Sequence, residues 1–174
     1  NSSGILGVAG TGDALSTAIT SGDFDDDGYG DLALGAPGDE VAGHTAAGVV
    51  NVIRGGQNGL SASGNQIWHQ DTSGVSGAAE ALDRFGEVLR TGDFDGDGYD
   101  DLAIGVPNEN MGAGAASGAV HVLYGSAAGL TADRDQLWHQ NVAGVKGVAR
   151  AGDEFGAALA SGDFDGDGYD DLAV

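Results

Sequence analysis

Cysteine is absent from the 174 residues, which excludes both a disulfide scaffold and a thiolate metal site. Basic residues are nearly as scarce, six Lys and Arg against 27 Asp and Glu, for a net charge of −21. Nucleic acids and anionic membrane surfaces are bound through basic patches, so this balance argues against both and makes a cation the natural partner. No apolar run approaches the ~18 residues of a spanning helix, and membrane insertion is not expected. Proline occurs only at positions 37 and 107. The chain starts at Asn1 with neither an initiator Met nor a signal peptide, and reads as a mature or excised segment. Asn1-Ser2-Ser3 matches a glycosylation sequon in form only; a frayed polar end accounts for it as well.

What the chain has in abundance is glycine, 34 residues, and a repeat. Asp93-Phe-Asp-Gly-Asp-Gly-Tyr-Asp-Asp101 recurs unchanged from Asp163 to Asp171, and with two substitutions from Asp23 to Asp31. The interval is 70 residues each time. Gln66-Ile-Trp-His-Gln70 returns at the same offset as Gln136-Leu-Trp-His-Gln140, and Gly48 to Gly55 returns as Gly118 to Gly125. Self-similarity at a fixed period is the mark of a repeat architecture. The units are expected at 12–81, 82–151 and, as the first half of a third, 152–174.

Within a unit the segments are short, β-branched and bounded by glycine, as strands joined by turns are. Phe85 to Thr91 leads into the acidic loop and Leu102 to Val106 leaves it. Leu102, Ile104 and Val106 fall on one face of that strand, and the small Ala103 and Gly105 on the other. Pro107 closes it, because proline cannot donate to a central ladder. Gly118 to Gly125 is apolar on both faces, so it is covered on both sides. Gln136 to Gln140 is expected as the fourth, outermost strand. Four antiparallel strands per unit, without helical periodicity, describe a blade of an all-β propeller. A closed ring of 4 to 8 blades at this period takes roughly 280 to 560 residues, so residues 1–174 read as a partial propeller of about two and a half blades. The remaining blades would come from the parent chain or from other copies.

Carboxylates at alternate positions followed by glycine can wrap a hard cation while the backbone turns sharply. The expected ligands are Asp23, Asp25, Asp27, the Tyr29 carbonyl and Asp31; then Asp93, Asp95, Asp97, the Tyr99 carbonyl and Asp101; then Asp163, Asp165, Asp167, the Tyr169 carbonyl and Asp171. An all-oxygen set in a flexible loop suits Ca2+ better than zinc or copper, and better than the tighter octahedron of magnesium. Two carboxylates ~5 Å apart repel by roughly 3 kcal/mol at an effective dielectric of 20, so a loop holding several such pairs calls for a counter-cation. About three calcium sites are expected. An EF-hand is excluded, since its twelfth position would be Leu34, Ile104 or Val174 rather than Glu, and its flanks would be helices.

Phe85-Gly86, the loop from Asp93 to Asp101 and Gly105-Val106-Pro107 resemble the FG-GAP repeat of integrin α subunits and related bacterial extracellular proteins; Phe155-Gly156 and Gly35-Ala36-Pro37 add to the likeness. The resemblance implies a β-propeller with calcium between the first and second strands of a blade, an extracellular or cell-surface location, and a part in adhesion or ligand recognition. It places metal ligands on the three Asp sets. The first unit departs from it, with Leu15-Ser16 for the FG pair, Asp26 for Gly and Gly30 for Asp at non-ligand positions.

His69 and His139 recur beside Trp68 and Trp138 and read as packing residues, and His44 and His121 as surface or edge residues without a carboxylate partner. Tyr124, Trp68 and Trp138 could line a sugar groove, although core packing is the simpler use of an aromatic. No catalytic motif is present. The expected function is a non-enzymatic recognition or adhesion module that presents a protein or carbohydrate ligand site on its loops. The alternative is the propeller portion of a larger secreted enzyme whose catalytic residues lie elsewhere.

Overall fold

The structure, a computed structural model, describes residues 18–112 and 115–174. Leu15-Ser16, the start of the first expected unit and the Asn1 sequon lie outside the described residues. Strands β1 (Ile19–Gly22), β2 (Asp31–Ala36), β3 (Val49–Arg54) and β4 (Ser61–Trp68) form one antiparallel sheet in that order. A second sheet of the same order contains β5 (Val88–Gly92), β6 (Asp101–Val106), β7 (Ala119–Tyr124) and β8 (Thr131–Trp138). The last pair is β9 (Ala160–Gly162) with β10 (Asp171–Ala173). Among the described residues there is no helix. The architecture is all-β, an incomplete propeller of four-stranded blades.

Register repeats with the sequence. Thr20 faces Ala33 as Arg90 faces Ala103, and Val50 faces Trp68 as Val120 faces Trp138. Even the irregularity between Val52 and Arg54 returns between Val122 and Tyr124. The innermost strands lie side by side, β1 against β5 and β5 against β9. A hydroxyl ladder ties them together: Thr91 donates to the Ser21 carbonyl at 2.9 Å and Ser161 to the Thr91 carbonyl at 2.7 Å.

Strand alternation decides which blade each face meets. Leu102, Ile104 and Val106 point toward the first sheet and join Phe24, Val50, Val52 and Trp68 in one buried cluster. Ala103, on the other face of β6, packs with Val120, Tyr124 and Leu159 toward the third pair. Each fully buried Leu, Ile or Phe contributes about 1.5–3 kcal/mol relative to exposure, so these two seams hold the blades face to face. The FG and GAP glycines meet in the same seams. A Cβ on Gly35 would collide with the carbonyl of Gly86, and one on Gly105 with that of Gly156. Gly86 and Gly156 adopt φ of 86° and 91°, the left-handed region that glycine enters freely.

The outer strand differs from expectation. It runs from Thr131 to Trp138 rather than from Gln136 to Gln140. None of its residues is fully buried, so hydrophobicity does not mark it; pairing with β7 does. The first strand likewise begins at Val88: Glu87 N–H closes a turn onto the Arg84 carbonyl and Phe85 N–H bonds to the Ala47 carbonyl of the first blade, while Gly86 N–H still reaches the Gly105 carbonyl of β6 at 3.3 Å.

Candidate metal centres

Each acidic loop spans the tight connection from the first to the second strand of a blade. Its geometry is set by the first carboxylate, which folds back over the turn. Asp93 Oδ1 accepts the N–H groups of Gly96 and Asp97 at 2.7 and 3.1 Å, and Oδ2 that of Gly98 at 3.0 Å. Asp163 binds Gly166, Asp167 and Gly168 in the same way. Asp23 binds Asp27 and Gly28. The fourth position is left-handed in all three loops, with φ of 52° at Asp26, 73° at Gly96 and 81° at Gly166. Aspartate is among the few side chains that tolerate this region, which is why Asp26 can stand where glycine recurs.

The carboxylates expected as ligands fall into two groups. One oxygen from each of Asp23, Asp25 and Asp27 lies within 4.8 Å of the others; the corresponding clusters are Asp93, Asp95 and Asp101, then Asp163, Asp165 and Asp171. Asp97 and Asp167 each turn one oxygen to the N–H of the tyrosine two residues on, as Asp27 also does toward Tyr29. That bond fixes the backbone at Tyr29, Tyr99 and Tyr169. Asp31 stands apart from the Asp23 cluster, its oxygens taken by the N–H groups of Phe24 and Gly55. The ninth residue therefore links the loop to the end of the third strand. Asp101 does the same through Phe94 and Gly125, at 2.9 Å each, and Asp171 holds Phe164 at 3.0 Å.

Burying these carboxylates costs them solvation. Asp101, with no exposed surface, is pushed up to about 7, mainly by burial; the Gly125 and Phe94 N–H groups oppose it, and the charges of Asp95 and Asp93 add to it. Asp31 is raised as well, first by burial, against the Gly55 and Phe24 bonds and with Asp25 adding to it. In the first loop Asp25 Oδ1 is buried with no hydrogen-bond partner. A buried anionic oxygen without a donor is what a bound cation would satisfy. The donor set thus fits a hard divalent ion.

Two features of the loops were missed by sequence reasoning. The eighth residue reaches across the seam: Asp100 Oδ2 accepts the Asp23 N–H at 2.8 Å, and Asp170 Oδ2 that of Asp93 at 3.2 Å. In return the N–H groups of Asp100 and Asp170 donate to the carbonyls of Asp23 and Asp93, both at 3.1 Å. The second feature is a resident guanidinium on the third residue of two loops. Arg54 pairs with Asp25, and Arg134 with Asp95 at 2.9 Å. These arginines are not repeat equivalents. Arg54 sits on β3 and lies over Gly64, whereas Tyr124 takes its place in the second unit and the arginine comes from β8 at the position of Gly64. Arg134 then stacks over the Tyr124 ring at 4.8 Å. The signal was an arginine and a glycine against a tyrosine and an arginine at the common offset of 70.

One histidine requires a correction. His121 is fully buried in β7 rather than at a surface or edge; its Nδ1 lies 3.2 Å from Asp135 Oδ1 and its ring meets Phe85 edge-on. The separation of 14 positions from His121 to Asp135 hid the pair, which forms only when β8 folds back on β7. Trp68 is buried in the core cluster, whereas Tyr124, largely buried, and Trp138, 37 % exposed, both line a cavity with Phe94 and Gln136. His44 is exposed, as expected.

Comparison with known proteins places these loops in a family. The family model described as "FG-GAP repeat" matches residues 16–52, 85–123 and 155–174, more than half of the chain. A phosphatidylinositol-glycan-specific phospholipase D of Rattus norvegicus is 32 % identical over 163 residues, covering 92 % of this chain and 18 % of that protein. Integrin alpha-4 of Xenopus laevis is 30 % identical over 166 residues, covering 94 % and 14 %. Integrin alpha-5 of Xenopus laevis is 31 % identical over 159 residues, covering 90 % and 14 %. The chain thus spans under a fifth of the length of these relatives.

Proposed function

The chain belongs to the FG-GAP repeat family, and from that premise we propose that it is a calcium-binding propeller segment serving an extracellular recognition or adhesion module. The observation that carries the metal reading is the threefold convergence of carboxylates at one strand junction, with a buried, unpartnered Asp25 oxygen among them. The ligand sets are those of the three loops, completed by the carbonyls of Tyr29, Tyr99 and Tyr169. The ion's role is structural: it holds the turn between the first two strands of each blade, so that the loops keep one shape. The units 12–81, 82–151 and 152–174 each carry one such loop. A protein or carbohydrate ligand would meet the loop surface, and the chain itself does no catalysis. The integrin alpha relatives support a secreted or cell-surface setting.

The likeness to the phospholipase D favours a second reading, in which the segment is the propeller portion of a larger secreted enzyme with catalysis outside it. The parent chain decides between them: further repeats and a surface anchor support the module, an attached hydrolase domain the enzyme.

Calorimetric titration tests the metal claim directly. Uptake in the three loops is expected, with a melting temperature that rises with calcium, since a ligand at 100 times its Kd adds about 2.7 kcal/mol. No loop-dependent uptake at millimolar calcium would end the proposal. Molar mass in solution, with calcium and with chelator, tests how the ring is completed: a discrete oligomer supports completion by other copies, a stable monomer completion by the parent chain.

A further inference from the structure

We propose that Glu80, Asp83 and Glu109, together with the Gln70 amide oxygen, form an additional divalent-cation site at the end of the blades opposite the acidic loops. Strand β6 starts at Asp101 in the loop and ends at Val106, and Glu109 N–H bonds back to the Val106 carbonyl, so the cluster lies at the far end of the same strand. Glu80 and Asp83 come from the segment that leads into β5. That segment is pinned to the first blade by Leu82 N–H to the Thr45 carbonyl and Phe85 N–H to the Ala47 carbonyl, and to the second by the Asn108 amide on the Leu82 carbonyl. The site therefore sits where two blades and their connection meet.

One oxygen from each of the three carboxylates lies within 4.8 Å of the others. Proximity alone would not make a site. Asp83 is only 1 % exposed and its Oδ1 has no hydrogen-bond partner, while Oδ2 accepts the Glu80 N–H at 2.6 Å. Gln70, only 2 % exposed, donates its amide to Glu109 and leaves its own Oε1 buried and unpartnered. The Gln70 amide is thus held at the Glu109 carboxylate, and a neutral oxygen is brought to an anionic cluster. Burial pushes Asp83 up to about 6, the Glu80 N–H opposing and the charges of Glu109 and Glu80 adding. Arg54, Arg84, Arg90 and Arg134 are engaged elsewhere, with Asp25, Glu87, the Leu89 carbonyl and Asp95. An all-oxygen set that joins carboxylates to an amide carbonyl is calcium chemistry.

The repeat supplies an internal comparison. Seventy residues on, Asp153 keeps the local turn, its Oδ2 accepting the Arg150 N–H at 2.9 Å, but arginine stands in the place of Glu80. At that junction a positive charge is built into the chain. Between the first and second blades Glu80 stands there instead, and the basic group whose charge acts on Asp83 is His44 rather than an arginine, so a bound cation would add the charge that Arg150 supplies one junction on.

Calcium titration of the full chain and of two variants tests the site. Glu80→Arg installs the residue type that the repeat has at Arg150, and Asp83→Asn keeps an acceptor for the Glu80 N–H. Each is expected to bind one calcium fewer per chain than the parent, and Glu80→Arg to melt higher than the parent in chelator. Unchanged stoichiometry in both variants overturns the proposal. A chain with Asp25→Asn, Asp95→Asn and Asp165→Asn separates the two claims. A calcium site that survives those changes and disappears on adding Glu80→Arg supports this one whatever the loops do.

Discussion

Asp100 holds the backbone N–H of Asp23 at 2.8 Å across 77 residues of chain, and Asp170 holds that of Asp93 by the same contact one blade further on. The first and second acidic loops are therefore each clamped by the loop of the next blade. The clamped residue is the one whose carboxylate shapes its own turn, so neighbouring loops share a fold.

Removing the clamp should weaken two loops at once. Asp100→Ala leaves the Asp23 N–H without its acceptor, a loss of about 1–3 kcal/mol for a bond to a charged group. Chemical denaturation should register it. Gly30, at the same place in the first loop, has open space where a Cβ would stand, with no atom beyond its chain neighbours within 4 Å, and Gly30→Asp should change stability little.

The seam glycines are steric requirements. Gly105→Ala drives a methyl group into the Gly156 carbonyl and should destabilise the chain by about 1–3 kcal/mol or more, as overpacking does. Thermal melting of Gly105→Ala beside Gly30→Ala, which enters open space, separates the collision from any general effect of adding a side chain.

Arg54→Ala should lower stability in chelator and enlarge the gain on adding calcium. The guanidinium neutralises Asp25 in the absence of metal and competes for the same carboxylate in its presence. Melting curves with and without calcium test both halves. Equal losses in the two conditions would show that the arginine does not oppose the ion.

Asp135 sets an acid dependence. Its side chain is 1 % exposed, and burial by itself would raise it; the hydrogen bond and charge of His121, with the Ser76 N–H, outweigh burial and hold it below its ordinary value of 3.8. A depressed carboxyl contributes stability that is present above pH 3.8 and lost as pH falls through the lower folded value. Asp135→Asn should therefore cost most near neutrality, with the gap from the parent closing below about pH 3.8. A gap constant down to about pH 2 would refute the assignment.

Much of the fold could be read directly because the repeat states it more than once. The alternation in Leu102 to Val106 put large residues on one face and small ones on the other, and the structure packs them against different blades. The outer strand resisted such reading, since Thr131 to Gln136 carries no apolar stripe and exists as a strand only because β7 pairs with it. Charged positions resisted it more. Spacing shows that Asp25 and Asp95 are repeat equivalents, but not that an arginine reaches each by a different route.

From sequence alone come the period of 70, the acidic loops, the strand-turn pattern and the family, because these depend on residues a few positions apart and on their recurrence. Tertiary structure alone decided the clamp from Asp100 to Asp23, the buried pair of His121 and Asp135, and the cluster of Glu80, Asp83 and Glu109. The physical reason is that a carboxylate's role depends on the donor or charge that faces it. In stacked blades that partner comes from another strand or another unit, at separations no local pattern encodes.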